Sequence, residues 1–198
     1  MDIVLASRNA GKLDELSVLL SSLNGRLRLV SEFTEVVPNE SAPSFVENAL
    51  LKARHAARVS GLPAIADDSG LEVVALDGAP GVRSARYAGE NATDTDNNQK
   101  LLATLKDVPD ARRGARYVCV MVYLRHAEDP LPVISLGTWR GRILHNPRGT
   151  GGFGYDPLFQ IEGLARSVAE LEPETKNQLS HRGKAVRHLS SLLHDVHD

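Results

Sequence analysis

The stretch Pro63-Ala64-Ile65-Ala66-Asp67-Asp68-Ser69-Gly70 runs from apolar residues straight into two adjacent carboxylates, a hydroxyl and a glycine. It reads as a short buried strand over residues 63–66 that stops at Asp67 and holds its terminal acids at a sheet edge. Successive strand side chains point to opposite faces, so Asp67 and Asp68 are expected in different surroundings. Two fixed acids suit a hard divalent cation, which takes oxygen ligands. The plainer reading is a turn, because Asp-Ser-Gly is ordinary turn chemistry.

Around this stretch the chain alternates strands and helices, which predicts an α/β fold with a mixed sheet. Residues 2–6 read as a first strand, and Leu13, Leu16, Leu19, Leu20 and Leu23 then recur at helical spacing. A second strand is expected over residues 26–33, and a loop carrying Glu35 and Glu40 over 34–43. Ser44 with Glu47 three residues on is a capping-box signature. The helix it opens has Phe45, Val46, Ala49, Leu50, Ala53 and Ala57 as its apolar face. Further strands are expected over 71–76, 116–125 and 131–144, with a helix over 93–106. A glycine-rich loop is expected over 146–156, and a final helix from near Ser180 with Val186, Leu189, Leu192, Leu193 and Val196 inward.

At 198 residues the chain, 1–198, is one domain with room for two lobes. A 42% hydrophobic and 24% charged composition is that of a globular protein, and a formal charge of −2 recommends no nucleic-acid polymer as partner. Any anionic ligand must be met by locally clustered cations. The single cysteine, Cys119, falls in an apolar strand and reads as a core residue rather than a nucleophile. It also excludes an internal disulfide framework. No apolar run reaches membrane-spanning length, and no signal segment opens the chain, so no membrane partner and a cytoplasmic location are expected.

Three further constellations carry chemistry. Ser7-x-Asn9-x-x-Lys12 lies between a strand and a helix, where unpaired backbone N–H groups favour phosphate. Gly11 permits close approach, although the same residues also read as a simple helix cap with a solvated lysine. Gly149-Thr150-Gly151-Gly152-Phe153-Gly154-Tyr155-Asp156-Pro157 contains G-x-G-x-x-G, but Pro157 argues against the helix that a dinucleotide fingerprint requires. Phe153 or Tyr155 could stack on a base and Asp156 accept from a ring N–H; the alternative is that the aromatics tuck into the core. Lys176 precedes Ser180-His181-Arg182-Gly183-Lys184, which places cations in the first turn of a helix, against its dipole. A bound anion or carbonyl would compensate that arrangement; an exposed basic turn is the alternative.

In this order and spacing, the four motifs resemble the noncanonical purine nucleoside triphosphate pyrophosphatases, also called inosine/xanthosine triphosphatases. The resemblance runs from about Ile3 to Leu193, with no departure at a motif position. It implies a long mixed twisted sheet flanked by helices, in two lobes with a central nucleotide cleft, and a homodimer. It implies hydrolysis of dITP, ITP and XTP to the monophosphate and pyrophosphate, with magnesium. Carried over by motif, Asp68 resembles the catalytic acid and metal ligand, and Glu40 the second metal carboxylate. Ser7, Arg8, Asn9, Ala10, Gly11 and Lys12 are expected to grip the phosphates, and Ser69 to touch substrate. Phe153, Gly154, Tyr155, Asp156, Lys176, His181 and Arg182 match nucleotide-binding positions. Asp67 is a candidate orienting or metal-binding acid, and Lys52, on the capped helix, reads either as a phosphate-facing cation or as a solvated residue. Two other readings remain at this stage: a Maf-like pyrophosphatase for modified nucleotides, and a nucleotide-sensing protein without turnover.

Overall fold

Side-chain parity along three strands divides the sheet into two apolar faces. In the computed structural model, which describes residues 2–20 and 26–197, β1 spans Asp2–Leu5, β3 Ala64–Val73 and β4 Gly114–Leu124. Ile3, Leu5, Ile65, Cys119, Met121 and Tyr123 join one buried cluster, and Val4, Ala6, Ala64, Ala66, Val120, Val122 and Leu124 the other. Odd and even positions part strictly, as the period-two geometry of a strand requires. With β2 (Arg26–Leu29), β5 (Val133–Ile143) and β6 (Phe159–Ile161), the sheet has the order β2-β1-β3-β4-β5-β6. β1 runs parallel to β2 and β3, while β5 and β6 are antiparallel, so the sheet is mixed as expected.

Two compact units are distinguishable. The first comprises Met1–Asp68, Cys119–Gly137 and Arg182–Asp198, the second Ser69–Val118 and Thr138–His181. In the first unit, α1 (Ala10–Leu19) and α5 (His181–His197) supply Leu16, Leu20, Ala185, Val186, Leu189 and Leu193 to the odd face. Helix α2 (Phe45–Ser60) places Ala49, Ala53, Ala56 and Ala57 on the even face. Small residues there let the helix approach the sheet closely. In the second unit, α3 (Asp94–Thr104) and its C-cap contribute Leu101 and Leu105 to a core with Leu71, Val73, Tyr117, Trp139 and Phe159. Arg113 is fully enclosed there and donates to the carbonyls of Leu105, Ile143 and Leu144 at 2.7–2.9 Å.

Most predicted elements are present, and the differences have local causes. The strand expected over 26–33 ends at Leu29, and Val30–Glu32 forms a 3-10 turn. The Glu32 carboxylate accepts from the Leu29 N–H at 2.7 Å and binds Arg28, which stabilises the turn over further extension. Residues 63–66 and 71–76 are not separate strands. β3 continues unbroken through Asp67-Asp68-Ser69-Gly70, and Val74–Leu76 is a 3-10 turn. Val46 is 36% exposed and lies off the buried face of α2. β6 and α4 (Pro173–Leu179) were not anticipated: three residues are too few for a periodic pattern, and α4 is mostly polar. Leu23 and the side chain of Val196 lie outside the described residues.

Candidate functional site

Because β3 does not break, parity carries past Ala66 into the acids. Asp67 follows Ile65 onto the face packed by α1 and α5, and Asp68 follows Ala66 onto the face packed by α2. Both carboxylates are buried. Lys12 Nζ stands 2.9 Å from Asp67 Oδ2, with Arg182 Nε 4.0 Å from the same oxygen. Across the sheet, Lys52 Nζ lies 3.0 Å from Asp68 Oδ1 and 2.9 Å from Glu40 Oε2. The adjacent acids therefore occupy different surroundings, as the pattern predicts.

Their proton affinities diverge accordingly. Burial opposes ionisation of Asp67, but Lys12, then Arg182 and Lys52, outweigh it and hold the carboxyl well below its ordinary range. For Asp68 burial prevails: Lys52 and Lys12 offset it in part, Glu40 adds to it, and the carboxyl is raised. Burial disfavours the Lys52 ammonium, yet Asp68, Asp67 and Glu40 reverse this and hold it charged. Cys119, on the Asp67 face, is pushed up to about 12, first by burial and then by that carboxylate, which suits an inert core thiol.

The Ser7–Lys12 turn divides its duties. Asn9 is the N-cap of α1, its Oδ1 accepting from the Lys12 N–H at 3.0 Å, and the first turn carries no acid. Arg8 is drawn to Glu35 at 3.2 Å and to the Thr34 carbonyl. Lys12 is ion-paired rather than solvated. Arg182 also binds Glu15, so this cation in the first turn of α5 is met by acids of the protein itself.

Two residues of this cluster escaped the sequence reading. Asn48 is enclosed on α2, exchanging hydrogen bonds with Ala42 N–H at 3.0 Å and Ala42 C=O at 3.2 Å. Its Nδ2 also lies 3.4 Å from Asp68 Oδ2, so it ties the Glu40 loop to the acid. An asparagine four positions before Lys52 on an otherwise apolar face was the available signal. Glu15, three residues after Lys12 on α1, is the other.

The second unit holds the aromatic loop. Asp156 is buried and accepts from Tyr117 Oη at 3.1 Å, Phe153 N–H at 3.0 Å and Lys176 Nζ at 2.7 Å. It organises the loop, and Lys176, on α4, also sits 4.6 Å from the Phe153 ring centroid. Gly152 has φ +73°, and a Cβ there would fall 2.1 Å from Asp156 Oδ2, so the turn accepts no side chain. Tyr155 corrects an expectation: it is 4% exposed, joins the core and donates to Ser84 C=O at 2.8 Å. Phe153, by contrast, is only half-buried. His181 stacks on Tyr117 with centroids 4.7 Å apart. No helix opens from the glycine run, in line with the rejected dinucleotide fingerprint.

Asp67, Asp68, Glu40 and Glu15 face Lys12, Lys52 and Arg182 in this connected cluster, four acids to three bases. The Glu40 and Asp68 oxygens converge on one cation, Lys52, so this carboxylate pair is the one that could hold an oxygen-seeking divalent ion. Among the described residues no group of three or more His, Cys, Asp or Glu could hold a metal alone.

Fold and cluster together define an α/β protein with a mixed open sheet and charged side chains concentrated on both faces of its third strand. The chain belongs to the Ham1 family, whose model matches residues 3–192. It is 56% identical to the dITP/XTP pyrophosphatase of Shigella flexneri, over 96% of this chain and 97% of that one. It is 59% identical to that of Pseudomonas syringae pv. tomato, over 93% and 92%. Among solved structures, a HAM1 protein from Coxiella burnetii is 48% identical with a TM-score of 0.91, covering 98% of this chain and 99% of that one. The nucleoside-triphosphatase / dITP/XTP pyrophosphatase from Mycobacterium abscessus is 45% identical with a TM-score of 0.78 over the same shares.

Proposed function

We propose that this chain hydrolyses noncanonical purine nucleoside triphosphates, dITP, ITP and XTP, to the monophosphate and pyrophosphate. The observation that carries the reading is the split acid pair: Asp67 held ionised by Lys12, and Asp68 sharing Lys52 with Glu40. Near-full-length identity to curated dITP/XTP pyrophosphatases supports it.

Glu40 and Asp68 are the residues that would hold a magnesium ion. When bound, it neutralises phosphate charge and aligns the polyphosphate. The first-turn N–H groups of α1, with Ser7 to Lys12 and Ser69, receive the phosphates. Asp68 takes the proton of the attacking water as the new oxygen bond forms at the α-phosphorus, and the bond to the bridging oxygen breaks to release pyrophosphate. Asp67 orients Lys12, and Lys52 keeps Asp68 and Glu40 converged. Phe153 and Lys176 receive the base, while His181 and Arg182 donate to the C6 carbonyl that hypoxanthine and xanthine share. Adenine, with an amino group there, places donor against donor. The reading extends to a homodimer acting in the cytoplasm, as the family resemblance implies. No helix among the described residues is long and apolar enough to cross a membrane.

The test is a panel of purine and pyrimidine triphosphates, with pyrophosphate and phosphate release measured separately, with and without magnesium. Pyrophosphate from ITP and XTP, abolished by chelation, is expected. Preference for modified pyrimidines, phosphate as first product, or binding without turnover would each overturn the reading.

A further inference from the structure

One residue of the aromatic loop is gripped from both sides by a helix to which the proposed function assigns no part. The N–H of Gly154 donates to Asp94 Oδ2 at 2.7 Å, and its carbonyl accepts from Asn98 Nδ2 at 2.9 Å. Asp94 and Asn98 lie one turn apart on α3, on one face of the helix. Gly154 immediately follows Phe153, so its orientation sets where that ring is presented.

The helix is a firm mount. Thr93 and Asp96 form a reciprocal capping box at its start. Asn97, 2% exposed, bonds Ala88 N–H at 2.8 Å and Ala85 C=O at 3.1 Å, and Leu101 is fully buried. The carboxylate-to-N–H bond is charge-assisted, and so among the stronger kinds. A site held by side chains on a rigid element keeps its geometry better than one left to loop contacts.

Resting on the reading of Phe153 as base-facing, we propose that Asp94 and Asn98 are positioning residues that set base affinity and base discrimination. Both bind the residue next to Phe153, so their effect is expected at the base end of the substrate.

The experiment compares the unaltered protein with Asp94→Ala, Asn98→Ala, Asp94→Asn and the double alanine variant, measuring kcat and KM for ITP, XTP and ATP by pyrophosphate release, with thermal unfolding alongside. Each single alanine variant is expected to raise KM for ITP about tenfold, with kcat within about twofold, and to narrow the preference over ATP. Asp94→Asn, whose amide oxygen can still accept from Gly154, is expected to restore KM. The double variant should cost less than the product of the two singles, because both hold the same residue. Unchanged KM and unchanged preference in an active protein would overturn the inference and leave the function standing, as would kcat falling in step with thermal stability. An unaltered protein inert toward ITP and XTP would sink the functional reading and this inference with it.

Discussion

Lys12 Nζ lies 2.9 Å from Asp67 Oδ2, so the first motif of the chain and the acid pair more than fifty residues later share a buried ion pair. The lysine that sequence pattern assigns to phosphate is already committed to a carboxylate. Its charge is thereby fixed at the start of α1, where it acts from a set position.

Breaking that pair is expected to cost stability. Asp67→Ala leaves Lys12 and the enclosed Arg182 with less countercharge, and removing one partner of a buried pair costs about 3 kcal/mol. Urea unfolding should show a lowered midpoint. The Lys12→Met, Asp67→Ala double variant should lose less than the sum of the singles.

Asp68 should behave in the opposite sense. Burial first, with Glu40 adding, raises its carboxyl, so its contribution to stability is fully present below the ordinary carboxylate range and declines as pH rises through the raised value. Asp68→Asn mimics the protonated form. It is expected to lower turnover by about 10² or more, while thermal stability at neutral pH stays level or rises. Pyrophosphate release and a melting curve on one preparation check both halves.

The connection between β4 and β5 offers an acid-sensitive contact outside the proposed site. Asp129 accepts from Arg125 at 2.6 and 2.8 Å and from the Arg125 and Leu131 N–H groups, and the Arg125 bond is the main reason its carboxyl is lowered. A lowered acid stabilises the fold above its unfolded value, about 3.9, and that contribution is lost as pH falls through the folded value. Asp129→Asn should therefore lower stability at pH 6 and flatten the decline below about pH 4. Melting temperature against pH is the readout.

Phe153 and Tyr155 should separate cleanly. Tyr155→Phe removes the hydroxyl bond to the Ser84 carbonyl and is expected to cost about 1–3 kcal/mol with KM for ITP unchanged. Phe153→Ala should raise KM for ITP by about tenfold or more with little change in stability. Steady-state kinetics with thermal unfolding distinguishes the two.

Much of this was legible along the chain because it depends on neighbours in sequence. Parity sends Asp67 and Asp68 to opposite faces through covalent geometry alone. Ser44 caps α2 through the Glu47 N–H, three residues away. The buried Val186, Leu189 and Leu193 stripe of α5 follows from helical spacing.

What required the folded molecule depends on groups that meet from far apart. Asp-Asp-Ser-Gly looked like a turn, yet the strand runs on: lysines from α1 and α2 meet its carboxylates, and Ser84 Oγ accepts from the Leu71 N–H at 2.8 Å beyond them. Tyr155 faces the core because the Ser84 carbonyl waits there for its hydroxyl. The Gly154 grip joins residues 56 and 60 positions apart. Local pattern specifies which way a side chain points; its partner is settled by where the fold delivers the opposite charge or acceptor, and there burial makes an unmet polar group too costly to leave alone.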